Sequence, residues 1–216
     1  MKLTPLFLVA ILFASCSGNL KKIVVFGRGS IDINSDNKTI TVKDDGPADD
    51  KTAEFHHASV LNLTIKKPSG DEPVTINENG LYIVNAKKDT VIGIYQNYEA
   101  KRATDKEINQ DELKKSIDSL VALTQNKNIS KENRNFFILP YQAVKITDNP
   151  DATIIPPFQQ MLFMEQKEGK VPEVYRFYNI SEIRETIVKL QSFAVPQKKG
   201  KTNEKTVVVK DKSEQF

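Results

Sequence analysis

The side chains best suited to acid–base chemistry are two adjacent histidines, His56 and His57. Imidazole titrates near neutral pH, so either one could act as a base beside a nearby acid such as Asp44, Asp49 or Glu54. Consecutive residues of a strand point to opposite faces, so the two histidines would not easily share one metal ion. Two interpretations stay open: polar surface imidazoles at a strand, which we favour, or an enzyme that uses His56 or His57 with a neighbouring carboxylate.

The acidic stretch that precedes the histidines offers oxygen ligands of the kind that calcium prefers. Its carboxylates come as adjacent pairs, Asp44-Asp45 and Asp49-Asp50, whereas an EF-hand loop has them at alternating positions and ends in a glutamate. We therefore interpret the stretch as a solvated hairpin loop. The sequence has no His-x-x-x-His or His-Glu-x-x-His spacing, and Cys16 is its only cysteine. We predict no catalytic residue, no metal site and no cofactor.

The N-terminus has the pattern of a secretory signal peptide. Lys2 supplies a positive charge, eight apolar residues run from Leu6 to Phe13, and two small residues precede Cys16. A membrane-spanning helix needs ~20 apolar residues, so this run is too short to be one. We predict that residues 1–15 are removed and that residues 16–21 form a tether.

The sequence Phe13-Ala14-Ser15-Cys16 resembles the lipobox of bacterial lipoproteins. The resemblance covers only residues 1–19, and Phe13 departs from the usual leucine. It implies that the thiol of Cys16 carries diacylglycerol and that its amine is acylated after cleavage. Two or three acyl chains would anchor the protein stably, because each buried methylene contributes about 0.8 kcal/mol. The implied partner is a membrane, reached through lipid on Cys16.

The residue after the lipidated cysteine influences sorting in many Gram-negative lipoproteins, where aspartate retains the protein at the inner membrane. Here that residue is Ser17, so the resemblance implies transfer to the outer membrane. Some lipoproteins that reach the cell surface have an acidic run at this point. Residues 17–22 contain no acid, which favours a domain on the periplasmic side.

Composition limits the classes of partner. Lys2 is the only charged residue among residues 1–15, so the mature chain has 30 basic and 28 acidic residues, a net charge of +2. This balance does not favour nucleic-acid binding. The 201 residues that remain after cleavage of the 216-residue chain suffice for one large domain or two small ones. Without disulfides, the fold must depend on its apolar core.

Residues 22–100 have the pattern of short strands separated by polar turns. Ile23–Phe26 is an apolar run, Gly27-Arg28-Gly29-Ser30 lacks the P-loop lysine and reads as a tight turn, and residues 35–38 read as a hairpin turn. Repeated short strands predict a β-sandwich or a partly open barrel.

Residues 101–195 predict a smaller mixed region, which makes the fold class α+β. A helix lies within residues 104–125 and begins after Thr104 or Asn109, and residues 136–139 read as a buried strand. Whether residues 22–100 and 101–195 are separate domains is left open. Residues 196–216 form a basic tail that is either mobile or adds an edge strand at Thr206–Val209.

Residues 174–193 give the clearest local signal. Val174 to Tyr178 is rich in aromatic and β-branched residues and should be a strand. Asn179 and Glu182 have capping-box spacing for a following helix, with Ser181 as a rival cap. The helix has an apolar stripe that should pack on the sheet containing this strand and residues 136–139: Ile183, Ile187 and Leu190.

No chemical constellation outweighs its structural explanation, so the functional expectation is a non-catalytic one. We expect a lipid-anchored binding or scaffolding module of the cell envelope, with an envelope protein as a possible partner. The alternative is the periplasmic enzyme that would use His56 or His57.

Overall fold

The computed structural model describes residues 19–56, 59–96, 110–130, 132–159 and 172–194. Within these ranges, 12 strands form three four-stranded sheets, and two helices are present. The fold class is α+β, as predicted. Of the two predicted arrangements, the strands adopt the sandwich.

The strands and helices follow one another along the chain with mostly short connections. The strands are β1 Leu20–Arg28, β2 Ile31–Asn34, β3 Thr39–Val42, β4 Ala48–His56, β5 Leu61–Lys67, β6 Gly70–Ile76, β7 Gly80–Asn85, β8 Val91–Gln96, β9 Asn135–Ile138, β10 Ala143–Thr147, β11 Thr153–Ile155 and β12 Val174–Asn179. The helices are α1 Gln110–Thr124, between β8 and β9, and α2 Ile180–Ala194, directly after β12.

The central sheet has the strand order β10-β7-β1-β4, with β1 parallel to β7 and antiparallel to β4. Both faces of β1 are covered. Ile23 and Val25 belong to the core on one side, and Val24 and Phe26 belong to the core on the other. A strand that is buried on both faces reads as a continuous apolar run, which explains the sequence Ile23–Phe26.

One outer sheet, with the order β2-β3-β5-β6, packs on the first face of the central sheet. The predicted hairpin is confirmed, because β2 and β3 pair antiparallel around residues 35–38. Alternating residues of this sheet face the central sheet and are buried: Ile31, Ile40, Val42, Leu61, Leu63, Ile65, Val74 and Ile76.

The second outer sheet, with the order β11-β12-β8-β9, packs on the opposite face of the central sheet. Phe26 of β1 meets Phe177 of β12 edge to face, with ring centroids 5.3 Å apart. Gly93 of β8 lies directly beneath the Phe177 ring, and a Cβ there would overlap it. The glycine therefore lets an aromatic ring lie against the backbone of the neighbouring strand.

The helices cover the outer face of this second sheet. Ile183 and Ile187 of α2 pack with Ile117 of α1 and with Ile92 of β8, which confirms the predicted docking of the apolar stripe. The predicted strand–helix unit is also confirmed, and α2 begins directly after Asn179. Both caps predicted for the first helix, Thr104 and Asn109, lie outside the described residues.

Of the two hydrogen bonds of the predicted capping box, the structure shows the one from the Asn179 backbone to the Glu182 side chain. The backbone amide of Asn179 donates to Glu182 Oε2 at 2.7 Å, which is the glutamate half of a capping box. The side-chain oxygen of Asn179 accepts from Lys87 Nζ. The residue that begins α2 is therefore joined to the connection between β7 and β8.

The acidic stretch differs from the prediction of a solvated loop. Residues 44–47 do form a turn, but Asp49 and Asp50 lie in β4, paired with Gly27 and Phe26 of β1. β4 is an edge strand, and most of its side chains are exposed. The long backbone ladder to β1 forms this strand without an apolar alternation, so sequence patterning did not reveal it.

The sheets combine strands from both predicted regions. β7 pairs with β10 in the central sheet, and β8 pairs with β9 and β12 in the second outer sheet. β1 begins at Leu20, inside the predicted tether. Residues 196–216, with the possible strand at Thr206–Val209, lie outside the described residues. In the described part of the chain, neither helix is long and apolar enough to cross a membrane.

Candidate functional site

The sandwich has two opposite ends, which we name after the terminal residues of β1. At the Leu20 end lie the start of β7 and the ends of β8 and β10. At the Arg28 end lie the turn 44–47, the connection 86–90 and the start of α2. β1 has nine residues at about 3.3 Å each, so the two ends are separated by roughly 26 Å.

A cavity of about 480 Å³ opens at the Arg28 end. It lies where the turn before β4, the connection from β7 to β8 and the first turn of α2 meet the segment after β11. Its walls combine two basic side chains, one acid, a helix start and an aromatic ring: Arg28, Lys87, Asp89, Ser181 and Phe158.

Lys87 is the most unusual of these residues, because its side chain is only 3% exposed. It lies two residues after the end of the buried strand β7, and its amine donates to Asn179. Burial lowers the pKa of Lys87 to about 8, and the carboxylates of Asp89 and Glu182 only partly oppose this effect. The amine is therefore mostly charged at pH 7 and loses its proton more readily than an ordinary lysine.

Phe158 stands at the cavity with its ring 62% exposed. The buried prolines Pro156 and Pro157 precede it, and its backbone has a φ of 66°. Its amide donates to Glu182 Oε1 at 3.0 Å. The two prolines and the hydrogen bond to α2 fix the backbone of Phe158, so its exposed ring is available for contact with a ligand.

Arg28 is positioned by a glycine-containing turn. Gly29 has a φ of 68° and donates its amide to Pro47 O at 2.8 Å. The predicted turn between strands is confined to residues 29–30, because Gly27 and Arg28 belong to β1. A Cβ at Gly46 would come within 2.7 Å of Gly29 Cα, which excludes larger residues from this close approach. Arg28 Nε donates to Gly46 O at 3.3 Å and thereby stays beside the cavity.

An open groove of about 610 Å³ adjoins the cavity, and Arg28, Pro47 and Asp89 line both. Its charged walls are paired with each other, since Lys88 Nζ lies 2.7 Å from Asp44 Oδ2. A smaller cavity of about 170 Å³ lies on the other side of Phe158, next to Asp49 and Asp50. Burial and the neighbouring Asp49 raise the pKa of Asp50.

The Leu20 end has a polar cluster of a different kind, beside a cavity of about 360 Å³. Arg134 forms an ion pair with Glu173, and Tyr175 donates to the same carboxylate at 2.6 Å. Asn149 donates to the other oxygen of Glu173 at 3.0 Å, and the Arg134 guanidinium stacks over Tyr95 at 3.7 Å. These groups satisfy one another, which is the pattern of a structural network.

Of the three predicted acid partners, the structure places Glu54 beside His56, on an exposed part of β4, but neither Asp44 nor Asp49. His56 ends β4 opposite Leu20, with a side chain 56% exposed and Nε2 3.8 Å from Glu54 Oε2. Asp49 pairs with Gly27, seven strand residues or roughly 23 Å from His56. Asp44 lies beyond it, in the turn that precedes β4. His57 and Cys16 lie outside the described residues.

The part of the chain that the structure describes contains no group of three or more metal-binding side chains. The chain matches no protein-family model, and it matches neither a curated protein nor a solved structure. The geometry of the two ends is therefore the basis for a functional proposal.

Sequence patterns did not identify Lys87 or Phe158 as candidates. The burial of Lys87 depends on the docking of α2, which is distant in sequence. The sequence contains one local indication of the site, which is that Pro156-Pro157 rigidifies the chain just before the aromatic residue Phe158.

Proposed function

We propose that this chain is a lipoprotein of the cell envelope and acts as a non-catalytic binding module, with its domain on the periplasmic side of the outer membrane. The observation that carries the proposal is the position of Cys16 relative to β1. Only Ser17, Gly18 and Asn19 separate Cys16 from Leu20, the first residue of β1. Four residue steps reach at most roughly 14 Å, so lipid on Cys16 keeps the Leu20 end near the bilayer.

This tether also directs the cavity away from the bilayer. The cavity that contains Lys87 lies at the Arg28 end, at the far end of β1. A ligand or an envelope partner would thus reach it from the periplasmic space. Binding is favoured over catalysis because the cavity combines ligand-sized volume with charged and aromatic groups, whereas His56 lies at the other end beside Glu54.

Intact mass measurement of the membrane-extracted protein tests the anchor. We expect a mature chain that begins at Cys16 and carries diacylglycerol and an additional acyl chain. Cys16→Ala should leave an unprocessed or released chain, whereas the control Ser15→Ala should be processed normally. A mature chain with an unmodified Cys16 thiol, or one that begins elsewhere, would refute the proposal.

Fractionation of the two membranes tests the sorting. The parent protein should be found in the outer membrane, and Ser17→Asp should retain it at the inner membrane. The proposed location would be contradicted if the parent protein were recovered at the inner membrane. It would also be contradicted if the parent protein and Ser17→Asp had the same distribution between the two membranes.

Fluorescence quenching in vesicles tests the orientation. Ser59 is exposed near the Leu20 end and Ser181 is exposed at the cavity, so Ser59→Cys and Ser181→Cys give a matched pair of labelling sites. With nitroxide-labelled lipid headgroups, we expect strong quenching of a dye on the first variant and little on the second. Equal quenching would contradict an outward-facing cavity.

A further inference from the structure

The amine of Lys87 has more donors than the described residues accept. An ammonium group carries three N–H donors. Within the described residues, the hydrogen bond of Lys87 Nζ goes to Asn179 Oδ1, and the side chain is only 3% exposed. A buried charge is costly unless it is paired or hydrogen-bonded. The remaining donors therefore favour an acceptor that enters from the cavity.

A second cation lies on the same wall. Arg28 lines the cavity with a guanidinium that has donors beyond the one directed at Gly46 O. The two nearest carboxylates, Glu182 and Asp89, do not fully neutralise the charges of Lys87 and Arg28. Both oxygens of Glu182 accept backbone amides, one from Asn179 and one from Phe158. Asp89 is exposed to water.

The start of α2 contributes a partial positive charge to the same wall. Asn179 and Ser181 both line the cavity, and α2 is 15 residues long. The N-terminal end of a helix favours negative charge. This effect adds to the two side-chain cations, which carry the greater part of the attraction.

The rest of the lining is apolar. Phe158 presents an exposed ring, and Pro47 and Ala48 lie on the side of the turn before β4. The volume of about 480 Å³ falls within the usual range for sites that bind small molecules. A ligand that fits must therefore join an anionic group to a flat apolar part.

We propose that this cavity binds a small ligand that carries an oxyanion, either carboxylate or phosphate, beside an apolar ring. Lys87 and Arg28 hold the oxyanion, and Phe158 stacks on the ring. This inference rests on the proposed function as a binding module. It adds the chemical class of the ligand.

Four probes that share a phenyl ring test the class by calorimetry and by chemical-shift mapping. Benzoate and phenyl phosphate should bind and shift the signals of Phe158 and Ser181, and the tighter of the two identifies the preferred oxyanion. Benzyl alcohol should bind at least tenfold more weakly, and benzylamine should not bind. Equal binding of all four probes, or shifts confined to residues outside the cavity, would overturn the proposal.

Variants with matched controls separate recognition from general effects. Lys87→Met should weaken binding of the preferred probe at least tenfold, whereas Lys88→Met on the neighbouring exposed lysine should change it less than twofold. Phe158→Ala should weaken it severalfold, and the equally exposed Phe193 gives the control Phe193→Ala. Retained affinity in Lys87→Met, with the fold confirmed by its spectrum, would overturn the proposal.

Proton uptake gives a readout that a structural role of Lys87 would not change. An oxyanion next to the amine stabilises its charged form, so binding at pH 9 should take up protons, as measured by calorimetry in buffers of different ionisation enthalpy. The other charged groups around Lys87 are Arg28, Asp49, Asp50, Asp89 and Glu182. Binding without proton uptake would argue against contact with Lys87.

These measurements use the purified full chain in detergent, whatever Cys16 carries. An unlipidated Cys16 with intact probe binding would refute the anchor and leave the site standing. A lipidated chain that binds none of the probes would refute this ligand class and leave the anchor standing.

Discussion

Lys87 and Asn179 lie 92 positions apart in the sequence, and the amine of the first donates to the side-chain oxygen of the second. The contact joins the connection between β7 and β8 to the start of α2. It also encloses a cation among buried residues that are mostly apolar; the buried polar or charged residues of the described chain are Lys21, Asn85, Lys87 and Asn179. The stability of the fold should therefore depend on the protonation of Lys87.

Lys87→Met should stabilise the protein more at pH 7 than at pH 10. The folded pKa of Lys87 is about 8, below the ordinary 10.5, so the cost of the buried charge is fully present below pH 8 and fades as the pH rises to 10.5. The gain from the substitution should shrink by about 2–3 kcal/mol between pH 7 and pH 10. Urea denaturation at both pH values measures it. Lys88→Met should keep the pH dependence of the parent protein over this range, and the same behaviour in Lys87→Met would contradict the prediction.

Glu173→Gln should destabilise the protein at pH 7 by about 1–3 kcal/mol, because it weakens charged hydrogen bonds to Tyr175 and Arg134. Burial acts to raise the pKa of Glu173, but these contacts outweigh it and lower the pKa below 4.5. The stabilisation is therefore present above pH 4.5 and is lost as the pH falls through the folded pKa. Denaturation at pH 7 and pH 3.5 should show the deficit shrink. The exposed Asp148 gives the control Asp148→Asn, with an expected change below about 0.5 kcal/mol.

Tyr175 should resist ionisation at high pH. Burial and the adjacent Glu173 carboxylate raise its pKa to about 12, although Arg134 acts in the opposite direction. In ultraviolet titration, Tyr175→Phe should form as many tyrosinates below pH 11 as the parent protein, although it has one tyrosine fewer. If the substitution instead removes a chromophore that titrates near pH 10, the phenol is not held in this network.

Ile187→Ala should cost about 2–5 kcal/mol, the usual range for emptying a buried aliphatic site. Ile187 is 8% exposed and belongs to the core between α1, α2 and the second outer sheet. Val188 is 65% exposed on the same helix, so Val188→Ala should change the free energy of unfolding by less than about 0.5 kcal/mol. Equal and small effects in chemical denaturation would mean that α2 is not docked.

Gly93→Ala should cost about 1–3 kcal/mol through overpacking, since the new methyl group overlaps the Phe177 ring. A smaller side chain should relieve the overlap. Thermal denaturation of Gly93→Ala, Phe177→Leu and the double variant measures the coupling. We expect the double variant to be more stable than the sum of the single effects by at least about 0.5 kcal/mol. Simple additivity would show that the strand and the ring move apart without strain.

The sequence predicted the parts of the fold that local chemistry determines. The hairpin around residues 35–38 and the unit from β12 to α2 follow from turn residues, strand propensity and a cap, and all are confirmed. β4 was missed, because its backbone pairs with β1 although its side chains are mostly exposed and polar. The strand order within the three sheets could not be predicted either, because it depends on pairings between strands that are distant in sequence.

The candidate site was beyond prediction for the same reason. The two histidines were candidates because of their residue type, whereas the residues that line the cavity have no distinctive pattern in the local sequence. Arg28 was predicted as part of a turn, and nothing in the local sequence indicates that Lys87 is buried. Only the packing of α2 and of the segment after β11 places them around one cavity.

The parallel pairing of β1 with β7 has a consequence for how the chain folds during synthesis. β1 is the first strand of the described residues, yet its parallel partner Gly80–Asn85 follows five other strands, of which four belong to the first outer sheet. The edge strand β10 comes later still. A chain that emerges N-terminus first thus presents the side chains of Val24 and Phe26 uncovered until the strands of the second outer sheet follow. Closure of this long loop should limit the folding rate, because non-local strand pairing is slow. Until then, β1 is the segment that a chaperone would need to shield.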